Sequence, residues 1–178
     1  MLSIGSTGRS EDLVGLLLEC HERIRRFSTM AVEVGRRSDL PAAEVLEAAR
    51  RCERYFRVAL PLHVADEEVS VEPRLDGLDA AVDAALETME EQHRAHEPLL
   101  RELLEALVAV QEAPADAGGR RRLHAVAVRL KAEFDEHLAL EERTIFPAIR
   151  ERLPAAIQQE IVGELRGRRG GSTAAPSG

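Results

Sequence analysis

The chain has 178 residues and a formal net charge of −8, with 44% hydrophobic and 31% charged residues. That length supports one domain with a real core, and the acidic balance excludes general nucleic-acid affinity, which draws on excess Lys and Arg facing phosphates. Aromatics make up only 3%, with no Trp, so the core is Leu, Ala, Val and Ile, a mixture that with abundant Glu and Arg favours helix over strand.

Four long segments carry apolar residues at three- and four-residue steps, and none alternates like a strand. The first predicted helix runs from about Ser10, a good N-cap, to about Arg36, along the line Val14, Leu17, Ile24, Phe27, Ala31, Val34. The second opens near Asp39 and Pro41, a cap and first-turn pair, and ends before Pro73. The third spans about Asp79 to Glu112, and Asp-Ala-Gly-Gly at 116–119 closes the connection after it. The fourth runs from about Arg120 to Leu153, and Pro154 opens a short fifth helix to about Arg166. Residues 167–178, rich in Gly and Ser, read as a disordered tail. Basic runs at 120–122 and 166–169 lie beside Gly pairs and read as solvated loop and tail. Pro61, Pro98 and Pro147 each remove one backbone bond and bend the helix that holds them. Short loops between long amphipathic helices predict an all-α fold, an up-down-up-down four-helix bundle over 10–153 with a short extra helix over 154–166.

Two stretches share one pattern: HVADEEVSVEP from His63 and HLALEERTIFP from His137. Residues four apart on a helix share a face, so His63 with Glu67, and His137 with Glu141, each present an imidazole and a carboxylate to one side. For the second pair that side is the apolar stripe Ala127, Leu130, Phe134, Ile145, and His21 likewise continues the line Val14, Leu17, Ile24. Buried polar groups of this kind persist when paired or bound to metal. Depth agrees. His21 follows Ser10 by eleven residues, His63 and His137 precede Pro73 and Pro147 by ten, and His93 follows Asp79 by fourteen. At about 1.5 Å per residue, all four stand roughly 15–21 Å from one end of such a bundle. His124 projects about 140° away from His137 and is assigned to the surface. Imidazole with carboxylate suits a pair of transition ions, iron, manganese or zinc, rather than calcium, and two ions about 3.5–4 Å apart can share carboxylates.

At these residues the chain resembles the hemerythrin-like (HHE cation-binding) family over about residues 10–153. The resemblance implies a non-heme, carboxylate-bridged di-iron centre, with Glu67 and Glu141 as bridges and His21, His63, His93 and His137 as terminal ligands. It departs from the oxygen carriers of that family on the third helix, where Met89 stands four before His93; His96 and Glu97 are candidates to fill the gap, His96 reading first as a polar rim residue. Glu142 is the alternative to Glu141 as the fourth-helix carboxylate, and Tyr55, two turns before His63, is a candidate neighbour of the cavity.

With one His fewer than the carriers, at least one iron keeps open positions, which favours reaction with dioxygen, peroxide or nitric oxide over reversible carriage. A second reading is an iron- or oxygen-responsive sensor or interaction domain without turnover, its bundle ordered by metal. Ferritin-like storage wants two Glu-x-x-His pairs on different helices, and only Glu90–His93 fits. Cys20 and Cys52 form no CxxC and suit a reducing cytoplasm. The N-terminus lacks the apolar core of a signal peptide and the apolar runs are too short for a membrane span, so a soluble cytoplasmic protein without membrane partners is expected.

Overall fold

The computed structural model describes residues 12–171, in which every regular element is helical. Helix α1 (Leu13–Arg36) starts at Asp12, whose carboxylate accepts the Val14 N–H at 3.1 Å; the expected cap, Ser10, lies outside the described residues. Helix α2 runs unbroken over 42–75. Asp39 does not cap it but pairs with Arg37 at 2.6 Å, and the helix passes through Pro73 to Leu75 instead of ending before it. Helix α3 (Ala80–Glu112) is capped as expected by Asp79, which accepts from Ala81 N at 2.9 Å, and continues through Pro98. Helix α4 covers 117–152. Asp116 accepts from Gly118 and Gly119 N–H groups at 3.1 and 2.7 Å, so Asp-Ala-Gly-Gly opens this helix rather than closing a loop. Helix α5 (Ala155–Gly171) extends five residues past the expected end at Arg166.

Helices α2 and α4 pass their prolines by widening. Leu60, Glu72 and Phe146 each precede a proline, and each donates to the carbonyl five residues back, on Tyr55, Glu67 and Glu141. A proline ring clashes with the carbonyl four residues back; an extra residue in the turn relieves that contact and makes a local π turn. Two of the three turns, Asp66–Val71 and Glu141–Ile145, contain the carboxylate of a repeated motif. They also correct a drift. His63, Glu67, Val71, Leu75 and His137, Glu141, Ile145, Ile149 advance by fours, which rotates an ideal helix about 40° per step. Wider turns absorb that rotation, and all eight side chains are buried.

The apolar core is split in two. One cluster joins the later half of α1 (Ile24, Ala31, Val34) to Val45, Phe56, Leu107 and Leu130. The other joins the start of α1 (Leu13, Leu17) to the end of α2 (Leu75), the start of α3 (Leu86) and the end of α4 (Ile149), with Ile161, Val162 and Leu165 of α5 closing it. Between them lies a layer of buried His and Glu. At the far end α1 and α4 touch closely: a Cβ on Gly35 would stand 2.5 Å from the His124 backbone nitrogen. Arg120 is buried there and donates to the carbonyls of Val34 and Arg37, so it closes the end of α1 instead of being a solvated loop residue. Arg168 and Arg169 are likewise engaged, reaching the fully buried Asp66 at 2.7 and 2.5 Å.

Candidate metal centre

The six side chains singled out by spacing converge in the polar layer. One ligand atom each from His21, His63, Glu67 and Glu141 lies within 4.8 Å of the others, and so do those of Glu67, His93, His137 and Glu141. The two groups share both carboxylates. Their atoms approach closely: His21 Nε2 to Glu141 Oε2 2.9 Å, His63 Nε2 to Glu67 Oε1 3.0 Å, His137 Nε2 to Glu141 Oε1 3.1 Å. Yet His21 Nε2, His63 Nε2 and all four carboxylate oxygens lack hydrogen-bond geometry. The atoms point to common centres rather than at one another. Donors bound at about 2.1 Å to one ion stand about 3 Å apart at right angles, which is the spacing seen.

The rear nitrogens explain why the front ones are free. Glu142 Oε1 accepts from His21 Nδ1 at 2.8 Å, Glu68 Oε1 from His93 Nδ1 at 2.9 Å, and Gln92 Oε1 from His137 Nδ1 at 2.9 Å. An oxygen acceptor fixes the proton on Nδ1 and leaves the Nε2 lone pair facing inward, the outer-shell arrangement that orients metal-binding imidazoles. His93 Nε2 and His137 Nε2 then face each other at 3.2 Å, two lone pairs that repel unless a cation or proton stands beside them. His63 has no such acceptor: its Nδ1 lacks a hydrogen-bond partner, and the neighbouring Cys20 sulfur accepts from Arg169 at 3.6 Å.

The electrostatics ask for positive charge. Burial disfavours the charged form of His21, but the Glu141 and Glu67 carboxylates beside its Nε2 outweigh it and lift its pKa to about 9. Burial likewise opposes, and Glu67 and Cys20 overcome, a rise at His63. Glu67 is buried, which favours its neutral form, yet His63 and His21 hold it well below the usual carboxylate range. Two buried carboxylates thus draw protons onto the imidazoles, a charge that a metal ion at the same centres would supply.

The remaining candidates fall elsewhere. Glu142 belongs to neither group and serves the rear of His21, while Arg25 donates to it at 2.8 Å. Glu97 is exposed at the mouth of a cavity. Tyr55 stacks on Phe27 at 4.2 Å within the first apolar cluster. His96 is no rim residue: it is 3% exposed, its Nε2 has no partner, and its ring lies 5.3 Å from that of His137. Burial, then the neighbouring His137 and His93, lowers its pKa to about 4. His124 lies away from the centre, half-buried, its Nδ1 3.3 Å from the Val32 carbonyl. Glu68, Gln92 and Cys20 were not singled out by the sequence. The signal for Glu68 was the doubled Glu of the motif, whose second member turns about 100° towards the neighbouring helix.

The all-helical fold and its buried His/Glu layer define a cation-binding helical domain. Residues 12–149 match the hemerythrin HHE cation-binding domain, and the chain belongs to that family. An uncharacterized protein of Haemophilus influenzae is 29% identical over 167 residues, which cover 88% of this chain and 89% of that protein.

Proposed function

We propose that this chain is a non-heme di-iron protein that binds or reacts with dioxygen, peroxide or nitric oxide. His21 and His63 would hold one ion and His93 and His137 the other, with Glu67 and Glu141 available to both. The observation that carries this is the sharing of both carboxylates between two four-atom groups whose inward atoms lack hydrogen-bond partners. Imidazole with carboxylate fits iron, manganese or zinc. The alternating placement of helix ends in the second apolar cluster supports an up-down-up-down order of the four long helices, with the centre midway along it.

When bound, a ferrous pair supplies electrons and open coordination positions to a small molecule. The chain does the rest. Rear acceptors hold the imidazoles of His21, His93 and His137 in one tautomer, and the two core clusters exclude water from the carboxylates. Access differs between the two sides. A cavity of about 310 Å³ is walled by His63, His93, His96 and His137 but not by His21, which packs on Phe146 at 4.8 Å. The His93/His137 side is therefore where a ligand enters.

The test is to load the protein anaerobically with ferrous iron, count metal per chain, then add oxygen, peroxide or nitric oxide and follow the visible spectrum. Two ions per chain and an irreversible spectral change are expected. Fewer than about one tightly bound ion would sink the di-iron reading, and a stable reversible oxygen adduct would replace reactivity by carriage. A sensor reading draws on α5: Arg169 touches both Cys20, beside His21, and Asp66, beside Glu67. It predicts that metal loading changes protease sensitivity of α5 without turnover. Among the described residues no helix is long and apolar enough to cross a membrane.

A further inference from the structure

His96 is the fifth buried histidine of the layer, and the two ligand groups do not use it. It follows His93 by three residues on α3, which turns it about 60° and carries it about 4.5 Å along the helix. Its ring is held edge-on between two others, 5.1 Å from Phe134 at 79° and 5.3 Å from His137 at 89°. That packing fixes the direction of the imidazole without satisfying it. Nε2 is buried and has no hydrogen-bond partner, although the residue forms part of the cavity wall. Buried imidazole nitrogens without partners are costly to keep. Phe56, Leu60, Leu100 and Phe134 line the same cavity, and its charged wall residues, Glu68, Arg94 and Glu97, are exposed, Glu68 bonded to His93 and Arg94 to Glu90; outside the two ligand groups, His96 is the buried polar group of that wall.

We propose that His96 is a recognition residue for the incoming small molecule rather than a metal ligand. Resting on the di-iron reading, it gives the His93/His137 side a hydrogen-bond donor: neutral imidazole carries one N–H, and Nε2–H donates to the outer atom of a guest held in the cavity. The class of guest is a two- or three-atom oxygen or nitrogen species with a lone pair on its far end.

Azide is a suitable probe, because it carries a lone pair at each end. The iron-loaded full chain is titrated with sodium azide as wild type, His96→Leu and His96→Gln, with metal counted in each; His96→Met replaces the Leu variant should that one not fold. The Leu or Met variant should keep two ions and bind azide about tenfold more weakly, the worth of one hydrogen bond to a charged group. The Gln variant, which retains an N–H, should stay within about threefold of wild type. Loss of an ion from the Leu or Met variant overturns the inference by making His96 a ligand, and so does unchanged azide affinity at full iron content. A wild-type chain that takes up no iron overturns the di-iron reading as well, which separates the two failures.

Discussion

Glu68 of α2 reaches across to α3 and accepts the Nδ1–H of His93 at 2.9 Å, just as Glu142 of α4 reaches α1 and accepts from His21 at 2.8 Å. Each repeated motif therefore uses both of its glutamates. The first turns inward with its own histidine, and the second locks the histidine of the next helix. Glu68→Ala and Glu142→Ala should each weaken metal binding by about 10- to 100-fold, the usual effect of removing an outer-shell partner, while leaving the far-UV circular dichroism unchanged. Competition against a chelator of known affinity measures this. Affinities equal to wild type would reduce both contacts to incidental surface pairs.

Replacing a histidine at the front of the layer should act differently from replacing one outside it. His63→Ala and His137→Ala each delete a convergent nitrogen and should lose at least one ion per chain. His124→Ala deletes only a 3.3 Å contact to the Val32 carbonyl and should retain full metal content. Metal analysis after gel filtration decides, and metal loss from the His124 variant would contradict the placement of the layer.

The polar layer was legible in the sequence because helical spacing is rigid. His21, His63, His93 and His137 were placed at one depth by counting from caps and prolines, even though Asp12 is the cap of α1 and Pro73 does not end α2. The count survived because each error shifts a helix end by only a few residues. What stayed hidden was rotation. Steps of four ahead of Pro73 and Pro147 hold a wide turn, and an ideal helix offers no place for it. Likewise Arg120, Arg168 and Arg169 read as solvated because their partners, the Val34 carbonyl and Asp66, are distant in sequence. Long-range pairs of single charges leave no periodic trace.

Stripped of metal, the protein should lose stability as the pH rises from 6.5 towards 9. His21 titrates near 9 in the fold against an ordinary value of 6.5, so its contribution is whole below 6.5 and vanishes through 9. His63 and His93 are raised as well and act in the same sense. Cys20, which is lowered, opposes them near the top of this range, but three imidazoles outweigh one thiol. Below 6.5 two groups offset each other. His96, near 4, favours higher pH, while Glu72, raised to about 7 by burial and by Glu90, favours lower. Thermal melts of the chelator-treated chain should therefore show a plateau from about pH 4.5 to 6.5 and a fall above it. The metal-loaded chain should lack the alkaline fall, since bound ions keep the imidazoles neutral, and should instead weaken in acid as protons compete. A stripped chain whose melting temperature rises steadily to pH 9 would refute this account.

Asp66 ties α5 to the centre. It is fully buried one residue before Glu67, and each of its oxygens accepts from one arginine of α5, Arg168 and Arg169. Ser70 extends the contact by bonding Glu164 at 2.5 Å, which Arg74 also holds. A buried ion pair adds little over an apolar substitute, but removing one member strands the other. Both arginines keep partial access to water, which limits that penalty. Asp66→Asn should cost about 3 kcal/mol and lower the melting temperature by about 6–12 °C in a chain of this size. Combined with Arg168→Ala and Arg169→Ala, the losses should not add: a coupling of about 1–3 kcal/mol is expected for groups in one network. Denaturant titration of the four proteins in that cycle measures it. Strict additivity would mean that α5 is held by Ile161, Val162 and Leu165 alone, and that the charge beside Glu67 has no share in docking the helix.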